Sequence, residues 1–263
     1  MKILHELILQ TINAIGRSGK NPDKAEAILE RIEVMARDGN KAVKPDVVCY
    51  NAVINAYGWS DQPGRASKCH SILKRMVELS DSGENILARP DIITCNSVLN
   101  ACAFDEPSTE SEREEIVRVM VETLELFQKQ MPKYGYPDHA TFAQVLQAIS
   151  RQMPPGDKRY EMAEATFWQC CRAGHVSVLV VSALEQALSW SRFAALMGSA
   201  LRSKEGEKTS FDLKLFPRSW TRHAPKKGTD EKSRASRKRD RGYQVTKRTL
   251  TQSKSQLLNA NES

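Results

Sequence analysis

Apolar positions in the first two hundred residues fall into short blocks at helical spacing, broken by Gly, Pro, Ser and Asp. Residues 24–35 place Ile28, Leu29, Ile32 and Met35 on one face, the periodicity of an amphipathic helix. Ile72-Leu73-Lys74-Arg75-Met76 repeats Ile28-Leu29-Glu30-Arg31-Ile32 at an offset of 44 residues. Residues 116–131 and 160–172 carry the corresponding pattern later. Alternating with these are shorter, more apolar blocks at 47–56, 92–101, 139–148 and 178–187. Turn signals separate the two kinds of block, at Pro22, 60–64, 105–108 and 153–156. Gly39, Gly83, Gly135 and Gly174 stand where the longer helices end, a place that favours Gly.

The apolar blocks are copies of one another. Pro45-Asp46, Pro90-Asp91 and Pro137-Asp138 precede three of them, and Ala14, Ala56, Ala101, Ala148 and Ala187 recur at one matched place. A small residue at a fixed place suits a close helix–helix contact. Pro stops the preceding helix, and Asp caps the next one by accepting its first free N–H groups. The pattern predicts an all-α chain of about five helix–turn–helix units, near 1–46, 47–91, 92–138, 139–177 and 178–202, stacked as an α-solenoid. Insertions near 80–88 and 104–115 lengthen the second and third units, and the second, being acidic, is expected on a solvated edge.

Charge divides the chain. The net charge of +7 over 263 residues splits into −3 for residues 1–201 and +10 for residues 202–263. Any electrostatic argument for nucleic-acid binding therefore concerns the tail. Residues 203–263 read as a basic, mostly disordered extension with a basic cluster at 232–241, and the apolar stretch 211–220 reads as a docking segment that caps the last helices. Six cysteines without a C-x-x-C pair point to reduced thiols rather than a disulfide or zinc framework. The longest apolar run, 176–184, falls short of the roughly 18 residues a membrane helix needs, so no membrane is expected.

Val47-Val48-Cys49-Tyr50-Asn51-Ala52-Val53-Ile54-Asn55-Ala56-Tyr57, followed by an amphipathic helix, a closing Gly83 and Pro90-Asp91, resembles the pentatricopeptide repeat. The likeness covers roughly residues 1–202 and is strongest over 47–91 and 92–138. It implies a monomeric protein that binds single-stranded RNA, one nucleotide per unit, along the groove of the first helices. Carried over residue by residue, Asn51 pairs with Asp91 and Asn96 with Asp138, a combination that in the family favours uracil. Val48 and Ile93 match the apolar place beside the base. Ala143 departs from the pattern, and Ser182 occupies the place in the fifth unit, with Ser177 at the preceding closing position. The resemblance also implies a role in organellar RNA processing, stability or translation, in a mitochondrion or plastid, although no transit peptide is visible before the first repeat-like segment.

Two simpler readings stand beside this one. The three Asp residues serve equally as helix caps, and the stacked helices serve equally as a scaffold for a protein partner without RNA. Lys and Arg are absent from 47–58 and 92–103, which weighs against phosphate contacts there. No phosphate loop, nucleophile elbow or deaminase pattern occurs, so no enzyme activity and no cofactor are expected. Cys170, Cys171, Phe167 and Trp168 read as core, and His70 and His175 as isolated.

Overall fold

A computed structural model describes residues 2–18, 21–40, 43–204, 206 and 208–225. Among these the chain is all-helical, with eleven α-helices and no strand beyond a single antiparallel bridge between Leu201 and Phe211. No described helix is long and apolar enough to cross a membrane. Met1–Ala224 forms one compact unit. Apart from Pro225, the basic segment that follows lies outside the described residues, and with it the cluster 232–241 and the expected disorder.

Four hairpins come first: α1 (Lys2–Ser18) with α2 (Pro22–Arg37), α3 (Val47–Gly58) with α4 (Arg65–Asp81), α5 (Ile92–Phe104) with α6 (Glu110–Lys129), and α7 (His139–Gln152) with α8 (Asp157–Ala173). Then come α9 (Val178–Ala187), α10 (Trp190–Met197) and the short α11 (Arg218–Thr221). Each odd-numbered helix from α1 to α7 packs on the next odd-numbered one, and each of α2, α4, α6 and α8 packs on the odd-numbered helices before and after it. The middle helices α3 and α5 are thus covered on most sides, which is why their sequences are apolar nearly all round. The buried tyrosines of α3 keep a polar partner: Tyr50 donates to Glu33 of α2 at 2.6 Å, and the Tyr57 hydroxyl reaches the carboxylates of Asp23 and Glu26.

The recurring Ala is buried at 56, 101, 148 and 187 but exposed at 14. The contact is directional. A Cβ built on Gly16 would sit 3.1 Å from Ala56 Cβ, and one on Gly58 would sit 3.9 Å from Ala101 Cβ. Ala56 and Ala101 therefore face the helix pair before them. Gly39, Gly83, Gly135 and Gly174 all take positive φ.

Arginine joins successive pairs. Arg65, at the start of α4, donates to Ser60 and to the Phe104 carbonyl at the end of α5. Arg113 of α6 donates to the Arg151 carbonyl at the end of α7 at 3.3 Å, and Arg159 of α8 donates to Ala187 at the end of α9 at 2.9 Å. In return Asp105 accepts the Gly64 and Ala66 N–H groups at 3.2 and 2.9 Å, capping α4. This corrects the expectation that the whole of 104–115 is a solvated edge, because Asp105 is buried.

Residues 211–220 lie against α8. Trp220 meets Phe167 and Trp168 edge-on, with ring centres 6.1 and 5.5 Å away, and stacks on Phe216. Trp168 nevertheless stays 41 % exposed rather than joining the core. Val176 stands where the earlier units have Pro, so its N–H is free to donate to the Trp220 carbonyl at 2.9 Å. Gly174 accepts the His223 N–H at 2.9 Å, and the His175 and His223 rings lie 5.3 Å apart. Burial, then His223, His139 and Arg222, hold His175 below its ordinary 6.5, with Asp138 pulling the other way. A base whose folded value is depressed stabilises the fold above its unfolded value and loses that contribution as pH falls. Acidification from pH 7.5 to 5.5 is therefore expected to lower the melting temperature of the wild type more than that of His175→Gln. Equal losses would assign the effect elsewhere.

Candidate nucleic-acid interface

The closing Asp of each unit is first a helix cap. Asp46 accepts the Val48 and Cys49 N–H groups, both at 3.1 Å. Asp91 accepts from Thr94 N and Asp138 from Thr141 N, both at 2.9 Å, and each Thr hydroxyl accepts the Asp N–H in return at 3.1 Å. Ser177 caps α9 in the same manner through Val180 N.

The caps also bring successive units together. Asn51 donates through Nδ2 to Asp91 Oδ1 at 3.2 Å, and Asn96 does the same to Asp138 Oδ1 at 3.3 Å. The two pairs named from the sequence are thus each assembled from residues 40 and 42 positions apart. The cap bond and the pair bond end on the same carboxylate oxygen and are made at once. One turn earlier, Val48 and Ile93 project into solvent, 47 % and 56 % exposed, although both are large and apolar. Leu179 repeats this exposure on α9.

The pairs differ in one respect. The Thr141 hydroxyl lies 2.7 Å from Asn96 Oδ1, which fixes that amide at both ends. Both Thr hydroxyls also lie 3.0 Å from their Asp Oδ1, but Asn51 Oδ1, in a residue only 7 % exposed, has no hydrogen-bond partner. Burial pushes the Asp138 carboxyl up, but the hydrogen bonds from Thr141, the nearby His139 and Asn96 outweigh it and hold the carboxyl below its ordinary 3.8. Asp138 is therefore a fixed anion and acceptor at neutral pH.

The other candidate positions are not assembled in this way. Ala143 is buried and offers no polar atom, while Ser177 is buried as a cap. Ser182 is half-buried on α9 and meets no closing partner. The two threonines are hydrogen-bonded neighbours of Asp91 and Asp138 that the sequence reading passed over. Their signal is Asp-x-x-Thr at 91–94 and 138–141, a capping box with Thr in the third place. Among the described residues no three His, Cys, Asp or Glu side chains gather in a way that could hold a metal ion. No family model, no curated protein and no solved structure matches this chain.

Proposed function

We propose that the chain is a non-catalytic, single-stranded RNA-binding α-solenoid of pentatricopeptide type, with a uracil preference at two units and a role in organellar RNA processing, stability or translation. One observation carries this reading: side chains from successive units meet as Asn51–Asp91 and Asn96–Asp138, each beside an exposed apolar residue. An Asn amide has two N–H groups, so a carboxylate that holds one leaves the other for a base edge, while the Asn96 carbonyl is already bonded by the Thr141 hydroxyl and the Asn51 carbonyl is buried. Val48 and Ile93 supply apolar surface against which a base face can lie.

A panel of short RNAs that differ at one nucleotide tests the proposal. Wild-type protein should prefer uracil at two adjacent places, each by about 1–3 kcal/mol, the order found for base-edge pairs. Asn96→Thr, with Asp138 kept, should move one of those places from uracil to guanine and leave the other unchanged. Equal affinity for every member of the panel would sink the base-reading proposal.

The scaffold reading has its own support. Helices α3 and α5 carry no Lys or Arg, and Val48, Ile93, Val178 and Leu179 are exposed and apolar. Such a surface suits an apolar peptide as well as bases. RNA recovered by crosslinking in cells separates the two readings, because a pure scaffold yields none.

A further inference from the structure

A cavity of about 400 Å³ opens where α6, α7 and α8 meet. Glu110 and Arg113 line it from the first turn of α6, Arg151 from the last turn of α7, and Arg159 from α8. Met153 and Pro155, at the turn between α7 and α8, form an apolar wall. Three guanidinium groups face one carboxylate, a formal charge of +2, in a compact unit whose Lys and Arg equal its Asp and Glu in number.

The three arginines are not equally occupied. Arg159 spends its donors on the carbonyl ends of α9, and Arg113 divides its own between Glu110 at 3.3 Å and the Arg151 carbonyl. The Arg151 guanidinium makes no hydrogen bond and no ion pair with any described residue. Its guanidinium lies over the Phe104 ring, 4.5 Å from the centre, which orients the group without neutralising it. Burial lowers the pKa of Arg151 and of Arg159; at Arg151 the nearby Glu106 opposes the shift and Arg65 adds to it. Helix α8 begins beside this cavity behind Gly156, which offers no side-chain cap to the first N–H groups.

We infer that this cavity binds a phosphate group carried on an organic moiety. The free fork of Arg151 suits a bidentate phosphate contact, Arg113 and Arg159 add positive charge, and the Met153–Pro155 wall takes an apolar sugar or base face. The volume lies toward the lower end of the roughly 300–1,000 Å³ usual for small-ligand sites. The 14 residues of α7 put about 20 Å of helix between this cavity and Asp138, so the inference does not rest on the Asn–Asp pairs. Two sources share the chemistry: a free nucleoside monophosphate, or the backbone diester of an RNA passing the end of α7.

The test titrates the full chain and Arg151→Gln with uridine 5′-monophosphate, uridine, inorganic phosphate and a uridylate oligomer. Uridine monophosphate should bind once per chain and uridine should not. Arg151→Gln should weaken that binding about 10- to 100-fold, the loss of one charged bidentate contact. Its melting temperature should fall only slightly, because the Arg151 side chain holds no backbone group and loses only its contact with the Phe104 ring. If the diester is the occupant, the mononucleotide will not bind. Arg151→Gln will then weaken every RNA alike and flatten the slope of log affinity against log salt by about 0.7. Either result supports the cavity. Titrations in which no phosphate-bearing probe responds to Arg151→Gln overturn it. A chain that binds uridine monophosphate through Arg151 but no RNA keeps this site and loses the base-reading proposal.

Discussion

Arg65→Met should destabilise the compact unit by about 2–6 kcal/mol, the cost of two buried carbonyls left without a donor. Arg65 is 7 % exposed and donates to two carbonyls, Ser60 beside its own helix and Phe104 at the end of α5. Each carbonyl left without a donor costs about 1–3 kcal/mol. Methionine fills much of the volume, so the loss reports hydrogen bonding rather than a cavity. Asp105, 3.9 Å from Nε, keeps the Gly64, Ala66 and Glu106 N–H groups, so its charge is not orphaned by the change. Arg65→Lys should recover only part of the loss, because one ammonium cannot span both carbonyls as a planar fork does. Chemical denaturation of the three proteins measures the series. A loss under about 1 kcal/mol for Arg65→Met would mean that water re-pairs both carbonyls and that the link between α4 and α5 lies in apolar packing alone.

The same link shows where sequence reading stops. The helices themselves were legible, because periodicity, Pro-Asp and the recurring Ala are local signals. Even there the Ala was half understood: Ala56 and Ala101 face the pair before them, and Ala14 is exposed while its four copies are buried. Asp105 reads as one more acid in an acidic insertion, yet it is buried because the N–H groups that it caps lie about 40 positions earlier, on α4. Helix α6 begins at Glu110 rather than near 116, and Thr109 accepting the Glu112 N–H was a readable start signal. Trp168 looked like core because its neighbours are apolar, but its packing partner is Trp220, some fifty residues away.

The candidate interface was legible only through the resemblance. Nothing in the spacing of Asn51 and Asp91 shows that their side chains meet, since the distance between them depends on how α3 and α5 stack. Thr141 as a second partner of Asn96, and its absence at Asn51, depend on a hydroxyl rotamer that composition does not encode. The arginine-lined cavity was invisible for the same reason. Arg113, Arg151 and Arg159 are separated by whole helices in sequence and converge because the starts of α6 and α8 flank the end of α7.

Truncation after Ala224 should weaken RNA binding on all sequences alike and flatten its salt dependence by several units. The cut belongs there and not at 203, because residues 211–223 pack on α8 and on Gly174, and removing them would expose Phe167 and Val176. Pro225–Ser263 holds eleven Lys and Arg against four Asp and Glu, a net of +7, which is the whole net charge of the chain. The compact unit left behind is neutral, and its α3 and α5 carry no cation to meet a phosphate. Under the RNA proposal, affinity that is common to all sequences must then come mainly from the tail, and sequence preference from the Asn–Asp pairs. For single strands each neutralised phosphate contributes about −0.7 to the slope of log affinity against log salt. Five contacts among the eleven basic residues give a slope of about −3.5, or roughly a hundredfold change between 50 and 200 mM salt. Binding of the full chain and of the Met1–Ala224 protein, measured across that salt range on uridylate and adenylate oligomers, checks both parts. The truncated protein should show a flatter slope with the same ratio between the two oligomers. An unchanged slope would make the tail a spectator, and a collapse of the ratio would place base choice in the tail instead of at Asn51 and Asn96.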